Sequence, residues 1–403
     1  MAAGDILFDV GANVGMYSIW AGNRGVKVYA FEPEASNYEI LCRNIALNNL
    51  DVDAYCLAIS DKLAVSRLHL SSREVGRSCH SFGESVGPNL QPRKSIPQGS
   101  IGISIDGLVE LGLPCPNHIK VDVDGIEHIV LKGAKKTLKR PELKTLQVEF
   151  NPAMKEHGEA IAKLKEAGWY IDQKQVNKAA RPAGEWKGYA EHLFYKFSEM
   201  AWYTIDKIDN AEVIQTPYPH IYIKDIFHPL LYSAMIESFP DNYQTIESAR
   251  NTKGYPERFV SSMNSGIWND VKSFLLSGAV REAFTRKFGV TGEEEALLIR
   301  DFSGYAIGPH TDSQKKIMSA LFYLPKDDSM KEFGTSIYTP KQEGFTCSGV
   351  RHYPFADFDT VSTMPFMPNS LFAFPKSNKS FHGVEKFIGE GVRDILLYDI
   401  RHA

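Results

Sequence analysis

Residues 296–312, ALLIRDFSGYAIGPHTD, end in a His-x-Asp pair whose side chains can act on one ion. On an extended chain, residues one apart point to the same side, so His310 and Asp312 can grip one face of a small metal cation. His382, in SFHGVE between the apolar runs SLFAFP and RDILLYDI, is the candidate for a third ligand. Two imidazoles and one carboxylate leave the remaining coordination positions open, an arrangement suited to non-haem Fe(II). Arg393 opens RDILLYDI and in a strand shares a face with Ile395 and Leu397, so it is expected to point inward. An inward guanidinium requires an anion beside it or, alternatively, a carboxylate of the protein. A second His-x-acid triplet, His157-Gly158-Glu159, lies in MKEHGEAIAKLKEAGW, where Ile161, Leu164 and Trp169 mark an amphipathic helix. That triplet is expected on a solvated polar face.

The ordered set His310, Asp312, His382 and Arg393 resembles the Fe(II)/2-oxoglutarate-dependent dioxygenases, over about residues 213–403. The resemblance implies Fe(II) on the three ligands and 2-oxoglutarate chelating it through its keto and adjacent carboxylate groups. Arg393 would hold the far carboxylate with two parallel hydrogen bonds. Tyr305 is a candidate for a further hydrogen bond to the cosubstrate. Related halogenases lack the carboxylate ligand, so Asp312 favours oxygen insertion or desaturation. The short runs ALLIRDF, KIMSALFYL, TSIYTP, RHYPF, SLFAFP and RDILLYDI, broken by Gly and Pro, predict a sandwich or barrel. With the resemblance, the specific form is a mainly-β double-stranded β-helix, or jelly-roll, with flanking helices, one of them near 267–289. His220 and His228 have no carboxylate at ligand spacing and are expected to pack or face solvent.

At the other end of the chain, DILFDV is a short apolar strand followed by Gly11-Ala12-Asn13-Val14-Gly15 and the amphipathic MYSIWAGNRG. A strand, a glycine-rich turn and a helix N-terminus form a nucleotide cradle, because small residues let a ligand approach the backbone. Glu32, ending KVYAFEP, is placed to accept two ribose hydroxyls. DVGANVG, FEPEASNYEILCRNIALNN, LAISDK, SIDGL and IKVDVDGIEHIVLKGA, in that order over about residues 4–198, resemble the FkbM family of S-adenosylmethionine-dependent methyltransferases. That resemblance implies an α/β class I, Rossmann-like domain. Asp9, Gly11, Asn13 and Gly15 would cradle the methionine end of the donor, Glu32 would bind its ribose, and Asp61 would face the adenine edge. Asp61 also fits a turn-forming Ser-Asp pair. Asp122 and Glu149, at carboxyl ends of neighbouring strands, overlook the same crevice and are candidates for general base and acceptor positioning, or for capping and ion pairing. Asp124 and Glu127, on the intervening turn, suit acceptor binding or helix capping. The glycine turn lies close to Met1, so the donor pocket is expected to be open or covered by another segment or subunit.

These two sets of residues need two frameworks. A chain of 403 residues exceeds what one core usually serves, and the motifs place a methyltransferase domain at 1–198, a linker at 199–212 and a dioxygenase domain at 213–403. The linker, SEMAWYTIDKIDNA, is not Gly/Ser-rich, and Trp202, Tyr203 and Ile205 are candidates for burial. Residues 71–100 show little periodicity and are expected as a loop. WYIDQKQV and HLFYKF are expected as an antiparallel closing pair of strands. Residues 1–200 carry 24 Lys+Arg and 24 Asp+Glu, whereas 201–403 carry 21 and 25, so the net charge of −4 falls in the second half. This pattern lacks the basic footprint of a nucleic-acid binder. Five cysteines, none in C-x-x-C, fit reduced thiols. With neither a signal peptide nor an apolar run of spanning length, the expectation is a cytoplasmic enzyme with no membrane partner. Together these readings predict a bifunctional enzyme using S-adenosylmethionine, Fe(II) and 2-oxoglutarate on a small-molecule or saccharide substrate. The alternative is one catalytic domain beside a binding or docking module, such as a carbohydrate-binding barrel.

Overall fold

Ile6–Val10 is buried along most of its length and pairs in parallel with strands on both sides, Lys27–Phe31 and His118–Val121. Such a strand has helices over both sheet faces, which is why it reads as a continuous apolar run. In the computed structural model, residues 1–403 are described except 172, 185, 241–242, 245–254, 350 and 403. The chain divides into two units, Met1–Phe197 and Ser198–Ala403.

In the first unit a seven-stranded sheet runs, edge to edge, Val52–Tyr55, Lys27–Phe31, Ile6–Val10, His118–Val121, Thr145–Phe150, Ala190–Lys196, Trp169–Ile171. Numbered along the chain within the sheet, the order is 3-2-1-4-5-7-6, and only the seventh strand runs against the direction of the rest. The order reverses between Ile6–Val10 and His118–Val121, and the carboxyl ends of strands at such a switch point open a ligand crevice. Helices Met16–Gly22, Ala35–Leu47, Glu127–Lys132 and Lys155–Glu166 connect these strands. The core between sheet and helices is built on Phe8, Val121, Leu146, Val148 and Phe194. Two expectations are corrected. Only Trp169–Ile171 of WYIDQKQV is strand, and Gln173–Ala179 is helical, as its polar, unbranched residues favour. The passage 71–100 is not simply loop: Ile96–Ile103 pairs with Ala64–Leu70 in a second, four-stranded sheet that also holds Ala58–Ile59 and Ser81–Phe82. Cross-strand pairing at long range does not show as local periodicity.

The boundary between the units falls at the start of helix Phe197–Asn210, which takes up most of the expected linker. Ala201, Thr204, Ile205 and Ile208 form its buried stripe, and Trp202 falls off that stripe and is 66% exposed. Two antiparallel sheets follow. One has seven strands in the order Ile221–Lys224, Ser370–Pro375, Lys316–Tyr323, Arg393–Arg401, Glu293–Asp301, Arg258–Ser261, Tyr243–Gln244. The other has Ile307–His310, His382–Val384, Thr335–Pro340 and Phe358–Met364. Arg393–Arg401 is central and buried on both faces. Arg393, Ile395 and Leu397 line a cavity, while Tyr398 on the opposite face lies 5.9 Å from Phe284 of helix Ala279–Phe288. The expected strand at RHYPF is absent, and its place in the sheet is taken by Phe358–Met364. Pro354 cannot donate to a ladder, which accounts for the shift downstream.

Candidate active sites

In the first unit the strand Ile6–Val10 ends in a turn held by left-handed residues, Gly11 at φ 76°, Asn13 at 51° and Gly15 at 96°. A Cβ on Gly11 would lie 1.9 Å from the carbonyl oxygen of Asp122, so this turn abuts the segment leaving His118–Val121. Asp9 is fully buried and accepts from Ser18 Oγ at 2.6 Å. Glu32 accepts from the backbone N–H groups of Asn13 (2.8 Å) and Glu34 (2.9 Å). Burial pushes the Glu32 carboxyl up to about 7, against the pull of those two donors. A narrow apolar slot beside it is lined by Val10, Gly11, Phe31, Ile59, Phe82 and Ile126, among others. Glycine cradle, acid and apolar slot fit the methionine end, ribose and base of an adenosine-containing methyl donor. Asp61 is exposed, with its carboxylate 3.4 Å from Ser60 Oγ, and lies outside the slot lining. That contact is the one a Ser-Asp turn makes.

The carboxyl ends of the neighbouring strands are acidic. Asp122 is one-third exposed, its side chain 34% accessible. Glu149 is buried and accepts from Arg181 Nη2 at 2.7 Å. Burial and then the Asp122 charge push Glu149 up to about 8, although Arg181 opposes them. Glu191 sits directly across the ladder from Glu149 and accepts from Gln147 Nε2 at 2.9 Å. Like charges directly opposite oppose pairing. Asp124, in a left-handed conformation, accepts from Cys79 N–H, and burial followed by the Asp122 charge lifts it to about 7. Glu127 does not cap its helix; it accepts from the backbone N–H groups of Val123 and Gly125 in the turn before it. His157 is fully buried, with Nε2 3.1 Å from the Gly125 oxygen, so the expected solvated face is wrong at this position. Lys120 was not anticipated: Nζ donates to the Gly11 oxygen at 2.9 Å and lies 3.4 Å from Asp9 and 3.5 Å from Asp122. Burial disfavours that ammonium, but the two carboxylates win and raise its pKa. The available signal was a lysine inside the buried strand HIKV.

In the second unit His310 and His382 are cross-strand partners with ring centroids 4.4 Å apart. Ligand atoms of His310, Asp312 and His382 all lie within 4.8 Å of one another. His310 Nδ1 is 2.9 Å from the Gly308 oxygen, and His382 Nδ1 is 3.1 Å from the Ser380 oxygen. Each Nδ1–H donates to a carbonyl, which leaves each Nε2 as a lone-pair donor. Burial lowers the pKa of both rings, keeping them neutral. Asp312 Oδ2 accepts from Ser319 Oγ at 2.9 Å, and Oδ1 lies 3.2 Å from Lys316 Nζ. Burial works against ionisation of Asp312, but the Lys316 charge and the Ser319 hydrogen bond hold its pKa below the usual range. Lys316 is in turn 2.9 Å from Asp399. Two neutral imidazoles and an ionised carboxylate are the donor set that fits Fe(II).

The triad opens on a cavity of about 540 Å³, which Tyr305, Thr335, His352 and Arg393 also line. Arg393 has no accessible surface and points inward, as its strand phase requires. Its Nε donates to the Phe333 oxygen at 2.6 Å and its Nη1 to Asp301 at 2.7 Å. The carboxylate partner foreseen as an alternative is therefore present. Even so, Arg393 Nη2, Tyr305 OH and Thr335 Oγ1 are buried without a hydrogen-bond partner among the described residues. These three orphaned polar groups, on residues that line the same cavity, fit the carboxylate end of 2-oxoglutarate. His220 packs with Nδ1 2.8 Å from the Tyr218 oxygen, and His228 caps helix Pro229–Glu237.

A seven-stranded sheet in the order 3-2-1-4-5-7-6, with a glycine cradle at its switch point, defines a Rossmann-like methyltransferase domain. Residues 9–169 match the family model described as Methyltransferase FkbM domain, which supports an FkbM methyltransferase domain in the N-terminal half of the chain. The chain is 26% identical over 197 residues to the 31-O-demethyl-FK506 methyltransferase FkbM of Streptomyces tacrolimicus, covering 43% of this chain and 75% of that protein. It is 33% identical over 137 residues to the hexuronic acid methyltransferase AglP of Haloferax volcanii, covering 32% of this chain and about half, 49%, of that protein. Among solved structures, HygX from Streptomyces hygroscopicus with nickel, 2-oxoglutarate and hygromycin B bound aligns at 12% identity and a TM-score of 0.34, over 46% of this chain and 83% of that one. An overlap that low has no bearing on the second unit, whose reading rests on its own residues. No described helix is long and apolar enough to cross a membrane.

Proposed function

We propose that this methyltransferase is bifunctional: S-adenosylmethionine-dependent O-methyl transfer in Met1–Phe197, and Fe(II)/2-oxoglutarate-dependent oxidation by a double-stranded β-helix in Ser198–Ala403. The acceptors are small molecules or saccharides, a class suggested by the names of the two relatives. In the first unit Asp9, Gly11, Asn13 and Gly15 bind the methionine end of the donor, and Glu32 the ribose. Alignment of an acceptor oxygen with the methyl group supplies most of the rate in such a transfer. Asp122 and Glu149 orient the acceptor hydroxyl, and Glu149, with a pKa near 8, takes its proton.

In the second unit the reading is carried by one observation: two Nε2 lone pairs and an ionised carboxylate converge beside a cavity that is also lined by Arg393, whose Nη2 is unsatisfied. His310, Asp312 and His382 would hold Fe(II), which supplies oxygen activation when 2-oxoglutarate is bound. Ser319 orients the Asp312 carboxylate, Arg393 and Tyr305 hold the cosubstrate's far end, and apolar Ile307, Leu321 and Ile395 limit water. The test is anaerobic titration of the full chain with Fe(II) and 2-oxoglutarate, followed by the visible charge-transfer absorption of the chelate, beside calorimetry with S-adenosylmethionine. An absorption band absent in Asp312→Ala supports the reading. Donor binding with no band in the unmodified chain would leave the second unit a docking module.

A further inference from the structure

Arg393 does not face the cavity with a private counter-ion. Asp301, its direct cross-strand partner, accepts from Arg393 Nη1 at 2.7 Å and also from Arg258 Nε at 2.6 Å and Nη2 at 2.8 Å. One carboxylate is thus shared by two guanidiniums. The Asp301 and Arg393 side chains have no exposure and that of Arg258 has 14%. The Arg258 guanidinium also lies over the Tyr305 ring, 4.2 Å from its centre. Arg258, Tyr305, Thr335 and Arg393 all line the cavity, and three of them present the orphaned atoms described above. In a weakly solvated site, uncompensated charge decides what can bind.

We propose that Arg258 is a specificity-determining residue: by cancelling Asp301 it leaves this wall with one net positive charge, so the site selects a 2-oxo acid with an ionised far end over one with an uncharged chain. This rests on the oxygenase reading and deepens it. Without Arg258, Asp301 neutralises Arg393 and an incoming carboxylate meets a wall of zero net charge. With Asp301 neutralised as well, the single positive charge returns.

The test is equilibrium binding of 2-oxoglutarate, and of a 2-oxo acid with an uncharged alkyl chain, to the Co(II)-loaded full chain, with Co(II) affinity measured in parallel. Arg258→Met is expected to weaken 2-oxoglutarate at least about tenfold, erase the preference over the uncharged acid and leave Co(II) affinity unchanged. The double variant Arg258→Met/Asp301→Asn is expected to regain most of the lost affinity, which a merely structural role for Arg258 does not predict. Arg258→Lys, which keeps the charge without the fork, should retain more affinity than Arg258→Met and guards against a folding defect in the latter. Unchanged 2-oxoglutarate binding in Arg258→Met, no recovery in the double variant, or equal losses in the Lys and Met variants overturns the proposal alone. Failure of the unmodified, Co(II)-loaded chain to bind 2-oxoglutarate overturns the oxygenase reading together with it.

Discussion

His310 and His382 face each other across two antiparallel strands, and each ring is fixed by a hydrogen bond from Nδ1 to the carbonyl two residues before it. That symmetry places both Nε2 atoms with Asp312 in one small volume. Removing any one ligand should therefore remove the site. Asp312→Ala or His382→Ala is expected to lower Fe(II) or Co(II) affinity by about a hundredfold or more, measured by metal titration, with S-adenosylmethionine binding unchanged. Retained metal affinity in both variants would sink the triad.

Ser319 tests the support behind a ligand. Its hydroxyl lies 2.9 Å from Asp312 and 2.9 Å from Asp399 but has one proton to donate. Ser319→Ala frees the Asp312 carboxylate to rotate, and a loss of metal affinity of about tenfold is expected. Isothermal titration with Co(II) reads this directly; an affinity equal to the parent's would assign Ser319 to packing alone.

In the methyltransferase unit Glu149 sets the pH response. Its carboxyl is raised to about 8 by burial and by Asp122, so below that pH it is protonated and cannot accept a proton. Methyl transfer should accordingly rise with pH up to about 8 and then level off. Glu149→Gln should flatten that limb and lower kcat by about a hundredfold or more, with donor affinity retained. A rising limb that survives in Glu149→Gln would move the base elsewhere, Asp122 being next.

Glu32 is expected to act on binding alone. Glu32→Ala removes the acceptor for two donor hydroxyls and leaves the Asn13 and Glu34 N–H groups without their present partner. About 1.5–3 kcal/mol of donor affinity should be lost, roughly tenfold to a hundredfold in Kd. Calorimetry with S-adenosylhomocysteine measures this without turnover.

Gly11→Ala is predicted to be the most damaging small substitution in the first unit. Its φ of 76° disfavours any side chain, and the new Cβ would sit 1.9 Å from the Asp122 oxygen. Strain of about 1–3 kcal/mol plus displacement of the Asp122 segment should lower the Tm of that unit. Thermal unfolding and donor binding should fall together; a normal Tm with normal binding would contradict the close approach.

The candidate residues were legible where chemistry depends on short spacing. The His-x-Asp pair, the glycine turn and the acid ending the second strand all sit where extended chain and tight turn must place them. For Asp61 a strand end near the crevice does not say which side chains reach it: the neighbouring slot is lined by Ile59, Leu68, His80 and Phe82 among others, and Asp61 lies outside that lining. His157 was misjudged because helical periodicity marks a face but not what covers that face: His157 is turned inward onto the Gly125 carbonyl. Lys120 gave a faint signal, a charge inside an apolar strand, but its partners Asp9 and Gly11 lie more than a hundred residues away, as the 109-residue separation from Gly11 shows.

By itself the sequence determined which donor atoms exist, which of them lie within one strand or one turn of each other, and that two separate frameworks were needed to hold them. Tertiary structure alone decided that Asp301 stands across from Arg393 and is shared with Arg258, that His310 meets His382, and that Glu149 meets Glu191. The physical reason is register. Local spacing fixes the direction of a side chain, but a ladder between strands distant in the chain sets its neighbour, and a slip of one residue would reverse every face.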